Sequence, residues 1–297
     1  DQYVDNSQEI NSKTTFFSGS YSNQISKIKL HFSTENFLFG DNKSNSFSSA
    51  LVFNLKNDNS LIFKYNLSSV APNYNTLIYR SNYENYNWDN EFDNSVTNSI
   101  KFRIELKNIL DLDVDLISVK KHIQFERFTI ENLDGSFDYS ITPVQYSEDL
   151  EVLKFKLARK INFGKFSIDS KLLLQKTLSN DILNLPEMVS RNTFYYSTDM
   201  FKKALYLQTG FGVKYFSGFY MNGYDPLLSE LYVQNEKEIG GFPIIDFFIN
   251  AKIQQTRLYF KFEHFNSSFT GYNYYSAPNY PYRDFTFRFG LVWNFFM

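Results

Sequence analysis

The last fifteen residues of the chain alternate between apolar and polar side chains almost without a break. From residue 285 onward every second position is large and apolar, and these positions are Phe285, Phe287, Phe289, Leu291, Trp293 and Phe295. Because successive side chains of a β-strand point to opposite faces, this spacing puts all of them on one face. The segment therefore predicts a strand with one apolar face and one face in water.

Composition indicates that the rest of the chain follows the same plan. The 297 residues include 33 Phe and 22 Tyr, yet the mean hydropathy is polar. A soluble core can hardly bury so many rings in so polar a chain, whereas a barrel with an apolar outer band and a wet interior needs both. No uncharged apolar run approaches the ~20 residues of a membrane-spanning helix. The richest stretch, 239–249, already contains Asp246.

Alternating segments recur along the chain from the region of Ile28 onward, and five weaker candidates surround Phe16, Ile78, Phe125, Tyr139 and Tyr195. Long connections alternate with short ones over much of the chain, as they do in outer-membrane barrels. The pattern predicts an all-β fold, a transmembrane antiparallel up-and-down β-barrel of about 16 strands, within a range of about 14 to 18.

One barrel domain is then expected to cover residues 1–297, with residues 1–13 irregular. The first residues show neither a basic region nor an apolar run of the kind found in a signal peptide. We expect either a mature chain or the C-terminal part of a longer one. The soluble alternative, a β-sandwich or propeller, also alternates, but it does not require long aromatic strands with Lys or Arg between the apolar residues.

The segment from Gly240 onward closely resembles the C-terminal region of the Putative porin family of Bacteroidota; it reads GGFPIIDFFINAKIQQTRLYFKFEHFNSSFTGYNYYSAPNYPYRDFTFRFGLVWNFF. Less sharply, residues 191–197 and 220–224 also resemble that family, so the resemblance covers roughly the last hundred residues. It implies a location in the bacterial outer membrane and a passive pore. It brings no catalytic residues, because a fold-level likeness does not assign chemistry.

The polar side chains between the outward apolar positions form the predicted lumen wall, and basic residues are the majority there although the formal net charge of the chain is -2. Such a wall favours anions. Alternatively, the charges pair across strands, or side chains fill a narrow lumen. The residues predicted to line the lumen are Lys101, Arg103, Lys154, Lys156, Lys252, Arg257, Lys261, Glu263 and Arg288, and the apolar residues of the terminal strand are predicted to face the membrane.

The predicted function is that of an outer-membrane porin, which allows passive diffusion of small hydrophilic solutes with a weak preference for anions. The alternative is a structural or scaffolding barrel subunit of an outer-membrane secretion or uptake complex. We expect no enzymatic activity and no cofactor or metal. The expected partners are membrane lipid, the solutes and the barrel-assembly machinery; a homo-oligomer is left open, and the net charge gives no reason to expect nucleic acid.

Two further groups of residues have a chemical and a structural interpretation. Asp111, Asp113 and Asp115 share a strand face, but a strand spaces them about 7 Å apart, too far to converge on calcium. An ion ladder with Lys101, Arg103 and Lys107 on the preceding strand is therefore favoured.

His264 is predicted to lie on the outward face at a strand end, where its ring suits the membrane interface. Ser267 and Ser268 lie close in sequence, but no third member of a catalytic triad can be argued. The chain has no cysteine, which excludes thiolate chemistry.

Overall fold

The computed structural model describes residues 12–41, 43–83, 85–107, 109–131, 134–179, 182–269 and 274–295. Most of these residues lie in strands, and there are also a 3-10 turn at Lys56–Asp58 and one short helix, α1 (Tyr74–Leu77). In chain order the strands are β1 (Thr14–Ile25), β2 (Ile28–Gly40), β3 (Asn45–Asn54), β4 (Ser60–Val70), β5 (Ile78–Tyr79), β6 (Trp88–Asp89), β7 (Ser95–Leu106), β8 (Leu110–Lys120), β9 (Ile123–Glu131), β10 (Phe137–Gln145), β11 (Leu150–Phe163), β12 (Phe166–Thr177), β13 (Met188–Met200), β14 (Leu205–Phe216), β15 (Phe219–Tyr220), β16 (Gly223–Asp225), β17 (Glu230–Val233), β18 (Glu238–Ile239), β19 (Ile244–Ile253), β20 (Thr256–Glu263), β21 (Tyr275–Ala277), β22 (Tyr280–Pro281) and β23 (Thr286–Trp293).

Thirteen of these strands form one sheet in the order β1-β2-β3-β4-β7-β8-β11-β12-β13-β14-β19-β20-β23. Within this sheet each strand pairs antiparallel with the strand that follows it in chain order, so the predicted all-β, up-and-down arrangement is confirmed. Within the described residues β1 and β23 each have one neighbour and do not pair with each other. Closure into a barrel therefore stays a prediction.

The sheet has fewer strands than the predicted number, and three of the weaker candidates account for the difference. Phe16 and Tyr195 lie in β1 and β13 of the main sheet, as expected. Ile78 instead lies in the two-residue strand β5, and Phe125 and Tyr139 lie in β9 and β10, which belong to a separate sheet. Alternation identified these residues as extended chain but did not identify what they pair with.

The register keeps one face of the main sheet apolar from strand to strand. Phe287 lies opposite Phe262, which lies opposite Phe247. Phe247 lies opposite Phe211, which in turn faces Phe194. From Phe287 to Phe211, the ring centroids of neighbouring pairs are 5.1 to 5.8 Å apart, within the range of favourable aromatic contacts. Polar and charged side chains alternate with these rings and occupy the opposite face, which we call the polar face.

The two ends of the sheet differ in the length of their connections. At one end, the turn end, hairpins close through short turns such as residues 164–165, where Gly164 adopts a φ of +61° that favours glycine. At the other end, the loop end, much longer segments follow β4, β8, β14 and β20. This matches the short periplasmic turns and long outer loops of bacterial barrels.

Three long connections at the loop end pack into a layer of their own. Its core consists of Trp88, Phe125 and Ile141, and Trp88 stacks on Tyr79 with ring centroids 4.8 Å apart. A small sheet in the order β10-β9-β17-β16 joins the segments after β8 and β14. Burial and a hydrogen bond donated to Asp225, 2.9 Å long, raise the pKa of Tyr86 in this layer to about 12.

The molecule exposes far more surface than a compact protein of its mass. Its accessible surface is 20024 Å² at 35.1 kDa. A folded monomer of that mass typically exposes about 13000 Å². Both faces of the main sheet are accessible, as expected for a wall with lipid on one side and water on the other. No helix among the described residues is long and apolar enough to cross a membrane.

Two neighbouring residues of β23 test which face meets lipid. Leu291 and Val292 are 61% and 52% exposed and lie on different faces of the sheet. On β20, Leu291 pairs with Leu258 and Val292 pairs with Arg257. We expect Leu291→Arg to lower folding stability by about 2 to 4 kcal/mol if the site lies near the bilayer midplane, and by less nearer the interface. Val292→Arg serves as the matched control; its side chain lies in water but opposite Arg257, so like-charge repulsion should lower stability by no more than about 1 kcal/mol. Urea titration of folding into lipid vesicles measures both, and equal costs would contradict the assignment of the faces.

Trp88→Ala tests whether the loop layer folds as a unit. Trp88 is 7% exposed and contacts the rings of Tyr79 and Phe125. Removing a buried Trp costs about 3 to 5 kcal/mol, so we expect rapid proteolysis within the long connections while the main sheet stays resistant. Tyr224→Ala, at a side chain that is 55% exposed, is the control and should leave the digestion pattern unchanged. Loss of the whole sheet in the Trp88 variant would show that the layer is not a separate unit.

Candidate functional site on the polar face

The structure places all nine predicted lumen residues on the polar face and brings them together in two groups. The first group combines β7 and β11 on either side of β8, with Lys101 opposite Asp115 and Asp115 opposite Lys154. The second group combines β19, β20 and β23, where Lys252 faces Arg257 and Lys261 faces Arg288. Strands β12, β13 and β14 separate the two groups.

The first group is an ion ladder. Lys101 Nζ lies 3.0 Å from Asp115 Oδ2, and Ser99 Oγ donates to Asp115 Oδ1 at 3.0 Å. Arg103 binds Asp113 through two nitrogens, with Nη2 3.1 Å from Oδ2, and its Nη1 also contacts Glu105 at 3.3 Å. Bidentate arginine–carboxylate pairs are among the stronger ion pairs of proteins. The predicted pairing of Asp113 and Asp115 with Arg103 and Lys101 is confirmed.

The expectation that Lys107 and Asp111 also belong to the ion ladder is wrong. Lys107 pairs with Asp58 of the neighbouring turn, and Asp111 lies opposite Glu105. The reason is that β7 ends at Leu106, so Lys107 already belongs to the turn and reaches the turn of the adjacent β3–β4 hairpin. Within the described residues no group of three or more His, Asp, Glu or Cys side chains is arranged to hold a metal ion.

The second group is organised around Asp246, whose side chain is 5% exposed. Both Lys214 and Lys261 place Nζ 3.1 Å from Asp246 Oδ2, while Oδ1 accepts the backbone N–H of His264 at 3.0 Å. Lys261 also reaches Glu263 at 2.8 Å, and Glu263 contacts Arg288 Nε at 2.9 Å. In the sequence, Asp246 interrupts an apolar run at the spacing of the lumen wall, which predicts an acid of that wall. The spacing does not predict that Lys214 and Lys261 share it.

The remaining cations of the two groups have no such partner. Among the described residues, no carboxylate lies within ion-pair distance of Lys154, Lys156, Lys252 or Arg257. Lys154 and Lys156 lie opposite Asp115 and Asp113, which are bound to Lys101 and Arg103 instead. Each of the two groups therefore keeps unpaired cations.

The residues predicted to face the membrane share the apolar face. Phe287, Phe289, Leu291 and Trp293 belong to β23 and are 47% to 72% exposed. Phe285 and Phe295 lie just outside β23 with the same spacing; the Phe295 ring stacks on Trp293 at 4.7 Å, and the Phe285 ring lies 6.2 Å from that of Phe262. That this face contacts lipid stays a prediction, which the Leu291 variant tests.

The expected outward position of His264 is wrong. The backbone turns to a φ of +51° directly after β20, and the ring is buried at 1% exposure between Tyr274 and Tyr282. His264 Nδ1 lies 2.7 Å from the carbonyl oxygen of Arg283. The described contacts of the ring are therefore structural and include no serine hydroxyl.

A family model described as "Putative porin" matches residues 1–297 of this chain, well beyond the C-terminal region that carried the resemblance. No curated protein matches the sequence.

Solved structures with a similar fold are outer-membrane proteins of low sequence identity. The siderophore receptor PirA from Acinetobacter baumannii has a TM-score of 0.59 at 12% identity, covering 94% of this chain and 45% of the receptor. The ferric enterobactin receptor PfeA from Pseudomonas aeruginosa has a TM-score of 0.62 at 13% identity, covering 93% of this chain and 45% of the receptor. The copper transporter OprC has a TM-score of 0.60 at 12% identity, covering 92% of this chain and 46% of the transporter.

The chain thus spans less than half the length of these structures, and the likeness concerns the fold. The chain belongs to the Putative porin family, and it is an all-β protein of the bacterial outer membrane.

Proposed function

We propose that this chain forms the wall of an outer-membrane pore for passive diffusion of small hydrophilic solutes, with a weak preference for anions. The observation that carries the proposal is the set of unpaired cations on the polar face. Charges on a pore wall set selectivity at close range. We include in the proposal the Bacteroidota origin that the C-terminal resemblance implies.

The arrangement of ion pairs supports a net positive wall. Asp113, Asp115 and Asp246 are each held by at least one cation, so they offer little free negative charge to a passing solute. Lys154 and Lys156 extend the same face without a partner of their own. Because salt screens charges beyond about 8 Å at physiological ionic strength, the preference for anions should be modest and strongest at low salt.

The mechanism that we propose needs no catalytic residue and no cofactor. Membrane lipid covers the apolar face, the barrel-assembly machinery inserts the protein, and solutes pass along the polar face. Assembly into a homo-oligomer is compatible with this scheme.

A second candidate function is a structural or scaffolding subunit of an outer-membrane secretion or uptake complex. The loop layer favours it, because the β9–β10 hairpin carries large apolar side chains in water. Phe128, Ile130 and Phe137 are 44%, 37% and 58% exposed. A patch of this kind on a folded outer layer suits a protein partner.

Reversal potentials of the purified protein in planar bilayers test the pore. We expect stepwise ohmic currents and chloride more permeant than potassium. Lys154→Gln with Lys156→Gln should reduce the preference for chloride, because two unpaired charges leave the wall. Lys202→Gln with Lys203→Gln, in the turn after β13, removes equal charge outside the strands and should leave the reversal potential unchanged.

A cation-selective wild type, or an unmoved reversal potential in the Lys154 and Lys156 variant, would contradict the proposed wall. A silent protein that co-purifies with one fixed partner would support the scaffold instead.

A further inference from the structure

A cavity opens on the polar face near the turn between β19 and β20. Its volume is about 430 Å³, within the range of small-molecule sites. Three neighbouring strands, β14, β19 and β20, supply most of its lining. The polar side chains that line it are Tyr206, Gln208, Asn250, Lys252, Arg257 and Tyr259.

Two like charges stand side by side in this cavity. Lys252 and Arg257 lie directly opposite each other, an arrangement that destabilises a sheet. Neither has a carboxylate within ion-pair distance among the described residues. In the same row Asp199 is separated from Lys252 by Tyr206, which puts it two strands away, or about 9 to 10 Å. By contrast, Lys214 and Lys261 share Asp246.

Two aromatic rings flank this pair of cations. Tyr206 lies directly opposite Lys252, and Tyr259 follows Arg257 on the same face of β20. Gly290 lies opposite Tyr259, and a Cβ there would come within 2.3 Å of the Tyr259 ring. The ring thus lies over Gly290, in space that a larger residue there would take, and forms one wall of the cavity.

Two side-chain amides complete the lining. Asn250 Nδ2 donates to Gln208 Oε1 at 3.3 Å, and these residues lie opposite each other on β19 and β14. Amides offer both donors and acceptors, which suits hydroxyl groups. The cavity therefore combines two cations, two aromatic rings and two side-chain amides.

We propose that this cavity is a binding subsite for sugars that carry a phosphate or sulfate ester. The guanidinium of Arg257 presents a planar fork that matches such an oxyanion, and Lys252 adds a second charge. The tyrosine rings cover the apolar face of the sugar, and Gln208 and Asn250 bind its hydroxyl groups. The inference rests on the proposed pore for the route by which the solute arrives, and it places the subsite at the turn end of that route.

Calorimetric titration of the purified full chain in detergent tests the subsite without any current. The probes are glucose 6-phosphate and glucose 6-sulfate, with glucose and inorganic phosphate titrated separately. We expect one or both esters to bind, each more tightly than glucose or inorganic phosphate. Lys252→Gln with Arg257→Gln should weaken ester binding at least about tenfold, because charge-assisted hydrogen bonds are lost.

A matched control exists on the same face. Lys171 and Arg191 also lie directly opposite each other and are exposed, but no cavity tyrosine accompanies them. Lys171→Gln with Arg191→Gln removes the same charge and should leave ester affinity within about twofold. Tyr206→Leu should weaken the binding of the esters but not the binding of inorganic phosphate. Heat-modifiable migration in gels confirms that each variant is folded.

Three results would overturn the subsite: no binding of either ester, an equal loss in the Lys171 and Arg191 variant, or inorganic phosphate binding as tightly as the esters. The outcome is independent of the pore test. If the protein binds the esters but gives no current, the pore is contradicted and the subsite is supported. If it conducts but does not bind them, the subsite is contradicted and the pore is supported.

Discussion

The structure depends on one constraint, the unbroken antiparallel register of the main sheet. In hydrocarbon every backbone N–H and C=O group needs a partner within the protein, which the ladders between successive strands supply. Because side chains alternate along a strand, a slip of one residue would move a strand's rings into water and its charges into lipid. Within the described residues the main sheet has a single register shift, in β1 between Thr15 and Phe16. The continuity from Phe287 to Phe194 follows from that regularity.

The same register decides which charges are free. Asp115 lies between Lys101 and Lys154, and Asp246 is within reach of Lys214 and Lys261. Because Asp115 forms its ion pair with Lys101, Lys154 on its other side stays unpaired among the described residues. Partly exposed ion pairs contribute little to stability, since solvent screens them. Their consequence lies in the pattern of charge that they leave on the wall.

Much of this architecture could be predicted from the sequence, and the errors have physical causes. The alternation of β23 and the side on which Lys261 lies followed directly from the period of a strand. Phe125 and Tyr139 alternate equally well, but their partners lie in long connections, and pairing across such separations leaves no local signal. In the sequence, His264 continues the outward positions Leu258, Phe260 and Phe262. Its backbone leaves the strand after Glu263, and the loop that then buries its ring is distant in sequence.

The two edge strands show how the wall and its function are linked. β23 presents an almost wholly apolar outer face, whereas β1 places Gly19 and Asn23 at equivalent positions beside Tyr21 and Ile25. Both edges carry backbone groups without a neighbouring strand among the described residues, and hydrocarbon does not tolerate such edges. Pairing of these edges is therefore a physical requirement in the membrane. Only a closed sheet makes the polar face a lumen, so the effect of Lys154 or Arg257 on a solute depends on closure as much as on charge.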